Sequence, residues 1–196
     1  MMPESLTKLI NSFKLLPGIG EKTAERLAFA VLDLDEDQVK FFSESIDNTF
    51  SSIHKCPLCN GLTDLDECNI CSDDTRINCL LIVDDPKTIF LFEKLGMFHG
   101  KYYVLNGLIN PIDGVNPEDI GLDKLIERIN NEKFSEIIFA LKPSIEGETT
   151  ALYIKKILEG LNITVSKLAS GLPIGADFEY IDKLTLELAL SDRKVI

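Results

Sequence analysis

The sequence contains no tryptophan, only two histidines, and no apolar run that approaches the ~20 residues needed to cross a bilayer. The first residues lack the basic-then-apolar pattern of a secretory signal, so we expect a cytoplasmic protein without a membrane segment. No Gly-x-x-x-x-Gly-Lys loop occurs, which argues against ATP hydrolysis by this polypeptide alone. The 196 residues, 45% of them hydrophobic, are enough for one medium domain with small additions.

Basic residues are scarce, since 20 lysines and arginines face 32 aspartates and glutamates, for a formal net charge of −12. This excess of negative charge argues against a protein that binds nucleic acid over most of its surface. The distribution is uneven, because residues 1–30 carry four basic and three acidic side chains, whereas residues 31–78 carry three and eleven. Any contact with a nucleic-acid backbone is therefore expected within residues 1–30.

Four cysteines stand in two pairs, Cys56-Pro-Leu-Cys59 and Cys68-Asn-Ile-Cys71. Two residues between thiols allow one tight turn, a zinc knuckle, to direct both sulfurs at one ion, and a second knuckle completes a tetrahedral site. Such a site has no open position, so we predict one structural zinc per chain. Two disulfides or four ordinary thiols are the alternatives. The unpaired Cys79, predicted to lie in a buried strand, favours a reducing compartment.

A glycine-rich turn, Leu16-Pro-Gly-Ile-Gly20, precedes a predicted helix near the N-terminus. Gly18 and Gly20 permit the backbone angles of a tight turn and leave its amides open to a phosphate at the start of the helix. Lys22 and Arg26 are four residues apart, so both can reach the same backbone, and Thr23 can donate a further hydrogen bond. The pattern indicates a helix-hairpin-helix that binds DNA without sequence preference; a plain helix connection without a ligand is the alternative.

The periodicity of apolar residues changes along the chain. Helical spacing predicts helices over residues 5–14, 21–32 and 35–53. Beyond residue 78, short apolar runs alternate with amphipathic stretches, which predicts an α/β domain with a mostly parallel sheet. The predicted strands are Cys79–Val83, Tyr102–Leu105, Glu136–Leu141 and Ile163–Leu168, and the predicted helices are Thr88–Leu95, Leu122–Asn131, Thr149–Leu161 and Tyr180–Leu190.

The ordered set of motifs resembles the bacterial recombination protein family RecR over essentially the whole chain. Besides the hairpin and the four cysteines, the matching stretches are Asn106–Gly114, Ile120–Asp123, Ile145–Ala151 and Gly171–Gly175. The chain departs from the family pattern at Lys142, Ser170 and Ala176, where asparagine, arginine and glycine are usual. The run Phe178–Leu186 resembles the Walker-B-like tail of the family.

The resemblance implies a helix-hairpin-helix region over residues 1–54, a four-cysteine zinc finger over 55–77, a Toprim domain over 78–173 and a C-terminal tail over 174–196 for packing or subunit exchange. It also implies recombinational DNA repair by a nucleoid-associated protein. The implied partners are DNA, RecO and in some contexts RecF, which together load recombinase onto gapped DNA. The implied assembly is a homo-tetrameric ring around DNA, or a dimer able to form it.

Toprim domains that perform chemistry hold magnesium with strand-end carboxylates. The corresponding residues here are Asp84, Glu146 and Glu148, and no tyrosine or lysine stands evidently placed beside them as a nucleophile. We therefore expect a non-enzymatic protein with no catalytic residue, in which these carboxylates hold either magnesium or a partner protein. A magnesium-dependent nuclease is one alternative function, and an interaction scaffold whose hairpin never contacts DNA is another.

Overall fold

The chain folds as two units, residues 1–53 and residues 54–196. The computed structural model describes residues 2–169, 172 and 175–193. Ser170 and most of the Gly171–Gly175 stretch therefore lie outside the described residues. No helix in the described part of the chain is both long and apolar enough to span a membrane.

The first unit consists of three helices, α1 (Glu4–Lys14), α2 (Glu21–Leu32) and α3 (Glu36–Ser52). They confirm the three helices predicted from apolar spacing. The core of this unit forms where Ile10 of α1 meets Ala24 and Ala28 of α2, all of them buried. Because the two alanines are small, α1 can pack closely against α2 and fix the turn between them.

α3 begins at a capping box. Asp35 Oδ1 accepts a hydrogen bond from the Gln38 amide at 2.8 Å, and Gln38 Oε1 accepts one from the Asp35 amide at 3.1 Å. Although the apolar residues of α3 recur at helical spacing, the structure buries none of its side chains. The α3 stripe is 38% to 90% exposed and comprises Val39, Phe42, Ile46 and Phe50.

The second unit opens with a small zinc module, residues 54–76, and continues into a four-stranded parallel sheet. In the module, β1 (His54–Lys55) pairs antiparallel with β2 (Leu62–Thr63). The sheet has the order β4-β3-β5-β6, and its neighbouring strands are all parallel. The sheet strands are β3 (Cys79–Val83), β4 (Lys101–Val104), β5 (Glu136–Phe139) and β6 (Thr164–Lys167).

Helices cover both faces of the sheet, as the predicted α/β class requires. α4 (Pro86–Leu95) packs on one face, and α5 (Leu122–Glu132) and α6 (Ile145–Ile157) pack on the other. The central strand β3 is buried along its whole length, because Leu80 and Ile82 enter one core cluster while Leu81 and Val83 enter the other. Burial on both faces explains why β3 is a continuous apolar run.

Several predicted helix boundaries are wrong: α4 begins at Pro86 and not at Thr88, and α6 ends at Ile157 and not at Leu161. The two largest errors at helix starts arose because a capping side chain was overlooked. α6 begins at Ile145 and not at Thr149, since the Ser144 side chain accepts a hydrogen bond from the Gly147 amide at 3.2 Å. The tail forms a 3₁₀ turn at Phe178–Tyr180 followed by α7 (Lys183–Ser191), where one continuous helix from Tyr180 was predicted. Asp182 caps α7, because its Oδ1 accepts from the Thr185 amide at 2.9 Å.

Candidate zinc site and DNA-binding hairpin

Two tight turns bring the four predicted zinc ligands together. In the first knuckle, the Asn60 amide donates to the Cys56 carbonyl at 2.9 Å, and the Cys56 amide donates to the Gly61 carbonyl at 2.7 Å. Asn60 completes this turn in the left-handed region, at a φ of 58°, which asparagine tolerates better than most residues. In the second knuckle, the Cys71 amide donates to the Cys68 carbonyl at 3.0 Å.

The geometry of the four sulfurs fits a tetrahedral zinc. All four cysteines are buried, and their ligand atoms lie within 4.8 Å of one another. The sulfurs of Cys59 and Cys68 are 3.6 Å apart, close to the roughly 3.8 Å that a Zn–S distance of about 2.3 Å imposes at tetrahedral angles. None of the five cysteines forms a disulfide in this structure, in line with the zinc assignment.

Cys79 takes no part in this cluster. It opens β3, as predicted, and is buried there. Burial, together with the nearby charge of Glu136, raises the pKa of the Cys79 thiol to about 11. A thiol that stays protonated is a poor metal ligand and a poor nucleophile, so Cys79 serves as a core residue.

One residue of the zinc site was missed by sequence reasoning. Arg128 of α5 is buried, and its Nη2 donates to the Cys71 sulfur at 3.5 Å. A signal for it exists in the sequence, because Arg128 follows Leu125 by three residues and directly precedes Ile129, both buried on the core side of α5. A cation within an apolar helix face indicates a partner that spacing alone does not identify.

The predicted hairpin turn has the backbone that phosphate binding requires. Gly18 lies in the left-handed region at a φ of 82°, so the turn depends on glycine there. Gly20 is the N-cap residue of α2 and offers no side-chain cap, which leaves the first amides of α2 open to a ligand. Ile19 points inward and packs against the core of the helical unit, holding the turn in place.

The cations of the hairpin are placed at the surface beside this turn. Lys22 and Arg26 are both exposed, and within the described residues neither has an ion-pair partner. Lys14, which was not predicted to matter here, forms an ion pair with Glu21 in the first turn of α2. That pair offsets one of the acidic charges near the turn. Thr23 lies half-buried on the same turn of α2.

The three acidic residues predicted at strand ends do not converge in the described structure. Asp84 follows β3, and its Oδ1 accepts from the Lys142 amide at 3.1 Å. Glu146 and Glu148 lie in the first turn of α6 and not on an extended strand end. Residues two apart on a helix face different directions, so these two carboxylates do not point at one ion. Among the described residues, the four cysteines are the one group of three or more His, Cys, Asp or Glu residues placed to share a metal.

Each glutamate has its own partner. Both carboxylate oxygens of Glu148 accept from Lys167 of β6, at 3.1 and 3.0 Å. A hydrogen bond to Ser144, helped by a backbone amide and by Lys142, holds the pKa of Glu146 below its ordinary value. A cavity of about 690 Å³ is lined by Glu148 and Lys167 together with residues of α7. The arrangement is a mixed-charge edge of the sheet.

Together, these features define a zinc-containing helix-hairpin-helix protein with a parallel α/β domain. Comparison with family models assigns each part of the chain in order. Residues 6–49 match the RecR helix-hairpin-helix, residues 53–73 the RecR four-cysteine zinc finger domain, residues 78–169 the Toprim domain, and residues 171–194 the RecR C-terminal region. The chain belongs to the RecR family.

Family membership supports a role as a mediator of recombinational DNA repair, and the helix-hairpin-helix match supports DNA binding. The zinc-finger match and the four clustered sulfurs confirm the predicted cofactor, one structural zinc. Bound zinc would hold the two knuckles together and supply no open position for chemistry.

We expect Cys68→Ala to lose zinc and unfold the zinc module, because zinc binding and folding are coupled in small modules. Zinc content should fall from one per chain to near zero, with Tm lowered by about 5 °C or more. Cys79→Ala is the matched control, since it also removes a buried thiol but not a ligand. Metal analysis and thermal unfolding would test this; full zinc content and an unchanged Tm in Cys68→Ala would contradict the ligand assignment.

Proposed function

We propose that this protein is a non-enzymatic clamp that binds DNA without sequence preference and acts with RecO, and in some contexts RecF, to load recombinase onto gapped DNA. The observation that carries the proposal is the pair Lys22 and Arg26, exposed beside the open amides of a hairpin turn. Such a site recognises phosphates and not base edges. Binding to chromosomal DNA would associate this cytoplasmic protein with the nucleoid.

The net charge of −12 limits how strongly one chain can hold DNA. A ring reduces this difficulty, because subunits that encircle DNA act at high effective concentration and each needs only a few phosphate contacts. The Lys14–Glu21 ion pair also supports the hairpin as the local site, since it offsets an acidic charge next to Lys22. DNA affinity is therefore expected to be moderate and strongly dependent on salt.

The hairpin site is tested by Lys22→Glu/Arg26→Glu in fluorescence anisotropy with gapped duplex DNA across a salt series. We expect wild-type binding to weaken with salt and the variant to lose at least about tenfold in affinity, because phosphate contacts dominate non-specific binding. Adding RecO should tighten wild-type binding.

The matched control is Lys155→Glu/Lys156→Glu, which changes the net charge equally at two exposed positions of α6. It should keep most of the affinity if the hairpin is the site. Equal losses in both variants would mean that only total charge matters. Equal binding by the wild type and the hairpin variant would move the DNA site elsewhere.

The clamp requires self-association, and the α3 stripe supports it. Ile46 is 58% exposed and Phe50 is 90% exposed, although helical spacing aligns them with Val39 and Phe42 on one face. An apolar helix face normally packs against another element. A second copy of the chain would bury this stripe and provide one of the contacts that a ring needs.

In sedimentation velocity, the wild type should therefore form oligomers, and Ile46→Glu/Phe50→Glu should sediment mainly as the 21.9 kDa monomer. A buried charge in an apolar interface is strongly unfavourable, so we expect at least about a tenfold weaker association. Leu152→Glu, at a 64% exposed residue of α6, is the control and should assemble as the wild type does. A wild type that stays monomeric at all concentrations would contradict the clamp.

The absence of catalysis is part of the proposal. Asp84, Glu146 and Glu148 each have a separate hydrogen-bond or ion-pair partner, which favours a surface for a protein partner such as RecO over a magnesium site. Phosphodiester cleavage by such carboxylates requires them to hold a metal together beside the phosphate.

Incubation of supercoiled or nicked DNA with the protein and Mg²⁺ or Mn²⁺ is expected to leave the DNA intact over hours. Glu146→Gln should give the same result, because no metal-dependent step is present to lose. Cleavage that requires the metal and disappears in Glu146→Gln would instead establish the nuclease alternative.

A further inference from the structure

Arg128 is a buried cation that links the zinc module to the α/β domain. Its side chain is only 5% exposed. Nη1 donates to the Leu58 carbonyl inside the first knuckle at 3.0 Å and to the Tyr102 carbonyl of β4 at 2.8 Å. Nη2 donates to the Cys71 sulfur in the second knuckle at 3.5 Å. One guanidinium therefore contacts both knuckles and the edge strand of the sheet.

The contact with Cys71 matters because of charge. Four thiolates around one Zn²⁺ carry a net charge of −2 by formal count, and these sulfurs are buried. A buried charge is costly unless a group of opposite sign or a hydrogen bond offsets it. The Gly61 amide donates to the Cys59 sulfur at 3.3 Å, and Arg128 adds a full positive charge at Cys71.

A second set of contacts holds Arg128 in this position. Its Nε donates to Glu132 Oε1 at 2.7 Å, and Lys101 of β4 donates to Glu132 Oε2 at 3.0 Å. Burial alone would raise the pKa of Glu132, but the bonds from Arg128 and Lys101 lower it overall, so the carboxylate stays charged. The charges thus alternate outward from the Cys71 sulfur, with Arg128 positive, Glu132 negative and Lys101 positive. This alternation fixes the orientation of the guanidinium.

We propose that Arg128 is a positioning residue of the zinc site, which makes zinc affinity depend on a side chain of the α/β domain. Outer groups that hydrogen-bond to metal ligands orient those ligands and tune their affinity for the metal. Arg128 does so at Cys71 by direct contact, and at the first knuckle through the Leu58 carbonyl. The proposal rests on the zinc site alone and is independent of the proposed function.

A neighbouring cavity gives a second reason why Arg128 should affect zinc binding. Cys71 and Arg128 both line a space of about 540 Å³ between the zinc module and α5, whose other charged residues include Glu67, Glu127, Lys101 and Lys124. With Arg128 shortened, water can reach Cys71 from this side, and the hydrogen bond from a cation to the Cys71 sulfur is lost. Zinc should then be released more easily.

The test compares Arg128→Gln with Arg76→Gln in zinc competition against a chromophoric chelator. Arg76 is a suitable control because it is also poorly exposed, at 15%, and also bound to a glutamate, with Nη1 at 2.8 Å from Glu93 Oε1. Arg76 is the last residue of the zinc module, but its guanidinium contacts Asp73, Glu93 and the Gly100 carbonyl rather than a sulfur. We expect about 10- to 100-fold weaker zinc binding in Arg128→Gln. Arg76→Gln should stay within about threefold of the wild type.

Cobalt substitution provides a spectrum that would stay unchanged if Arg128 only packed against its neighbours. Loss of the hydrogen bond should make the Cys71 sulfur a better electron donor, so the thiolate-to-cobalt charge-transfer band should shift to lower energy in Arg128→Gln. Arg128→Lys keeps the positive charge but lacks the several donors of the guanidinium. It should therefore bind zinc more tightly than Arg128→Gln and less tightly than the wild type. If Arg128→Gln does not fold, Arg128→Lys and Arg76→Lys are compared instead, by the rate of zinc release to the chelator.

The proposal is overturned if Arg128→Gln and Arg76→Gln bind zinc equally well. It is also overturned if the cobalt spectrum of Arg128→Gln equals that of the wild type, or, where the lysine variants are used, if both release zinc at the same rate. A loss of thermal stability alone, equal in the two glutamine variants and without a change in zinc affinity, would assign Arg128 to packing only.

Discussion

Convergence of four sulfurs on one zinc is the constraint on which the zinc module and the adjoining edge of the sheet depend. The zinc module contains only two strands of two residues each, too little to fold by its own core. The first knuckle is also part of the sheet edge, because the Val104 amide of β4 donates to the Cys59 carbonyl at 2.8 Å, and the Asn60 side chain donates to the Val104 carbonyl at 3.0 Å. Zinc therefore shapes a turn that covers the end of an edge strand, which would otherwise leave backbone groups unpaired.

The distribution of charge explains how an acidic chain can belong to a family of DNA-repair mediators. Exposed cations at the hairpin turn are few, but the turn also offers open amides at a helix N-terminus. Some lysines of the second unit are instead paired with carboxylates, as in Lys167–Glu148 and Lys101–Glu132. These cations are held within the α/β domain, and for that reason the phosphate site is proposed at the hairpin. A local site of this kind benefits from assembly more than from added charge.

Sequence patterns predicted most of the fold and part of the site. The four cysteines were predicted from spacing within two knuckles, and β3 was predicted from an apolar run that is buried on both faces. The start of α6 was misplaced, because the pattern of apolar residues begins later than the cap at Ser144. That error carried over to Glu146 and Glu148, which were treated as strand-end ligands although they lie on a helix. Arg128 was missed because its partners in the zinc module and in β4 lie 26 to 70 residues away in the chain.

The sequence by itself determined the zinc ligands, the helix-hairpin-helix turn and the alternation of strands and helices, because each depends on residues close together in the chain. Only the tertiary structure decided that a buried arginine meets a zinc-ligating sulfur, that Asp84, Glu146 and Glu148 have separate partners, and that the α3 stripe stays exposed. These features depend on which distant segments come into contact. Spacing along a chain fixes local geometry and the period of a pattern, but burial and pairing are properties of the packed molecule.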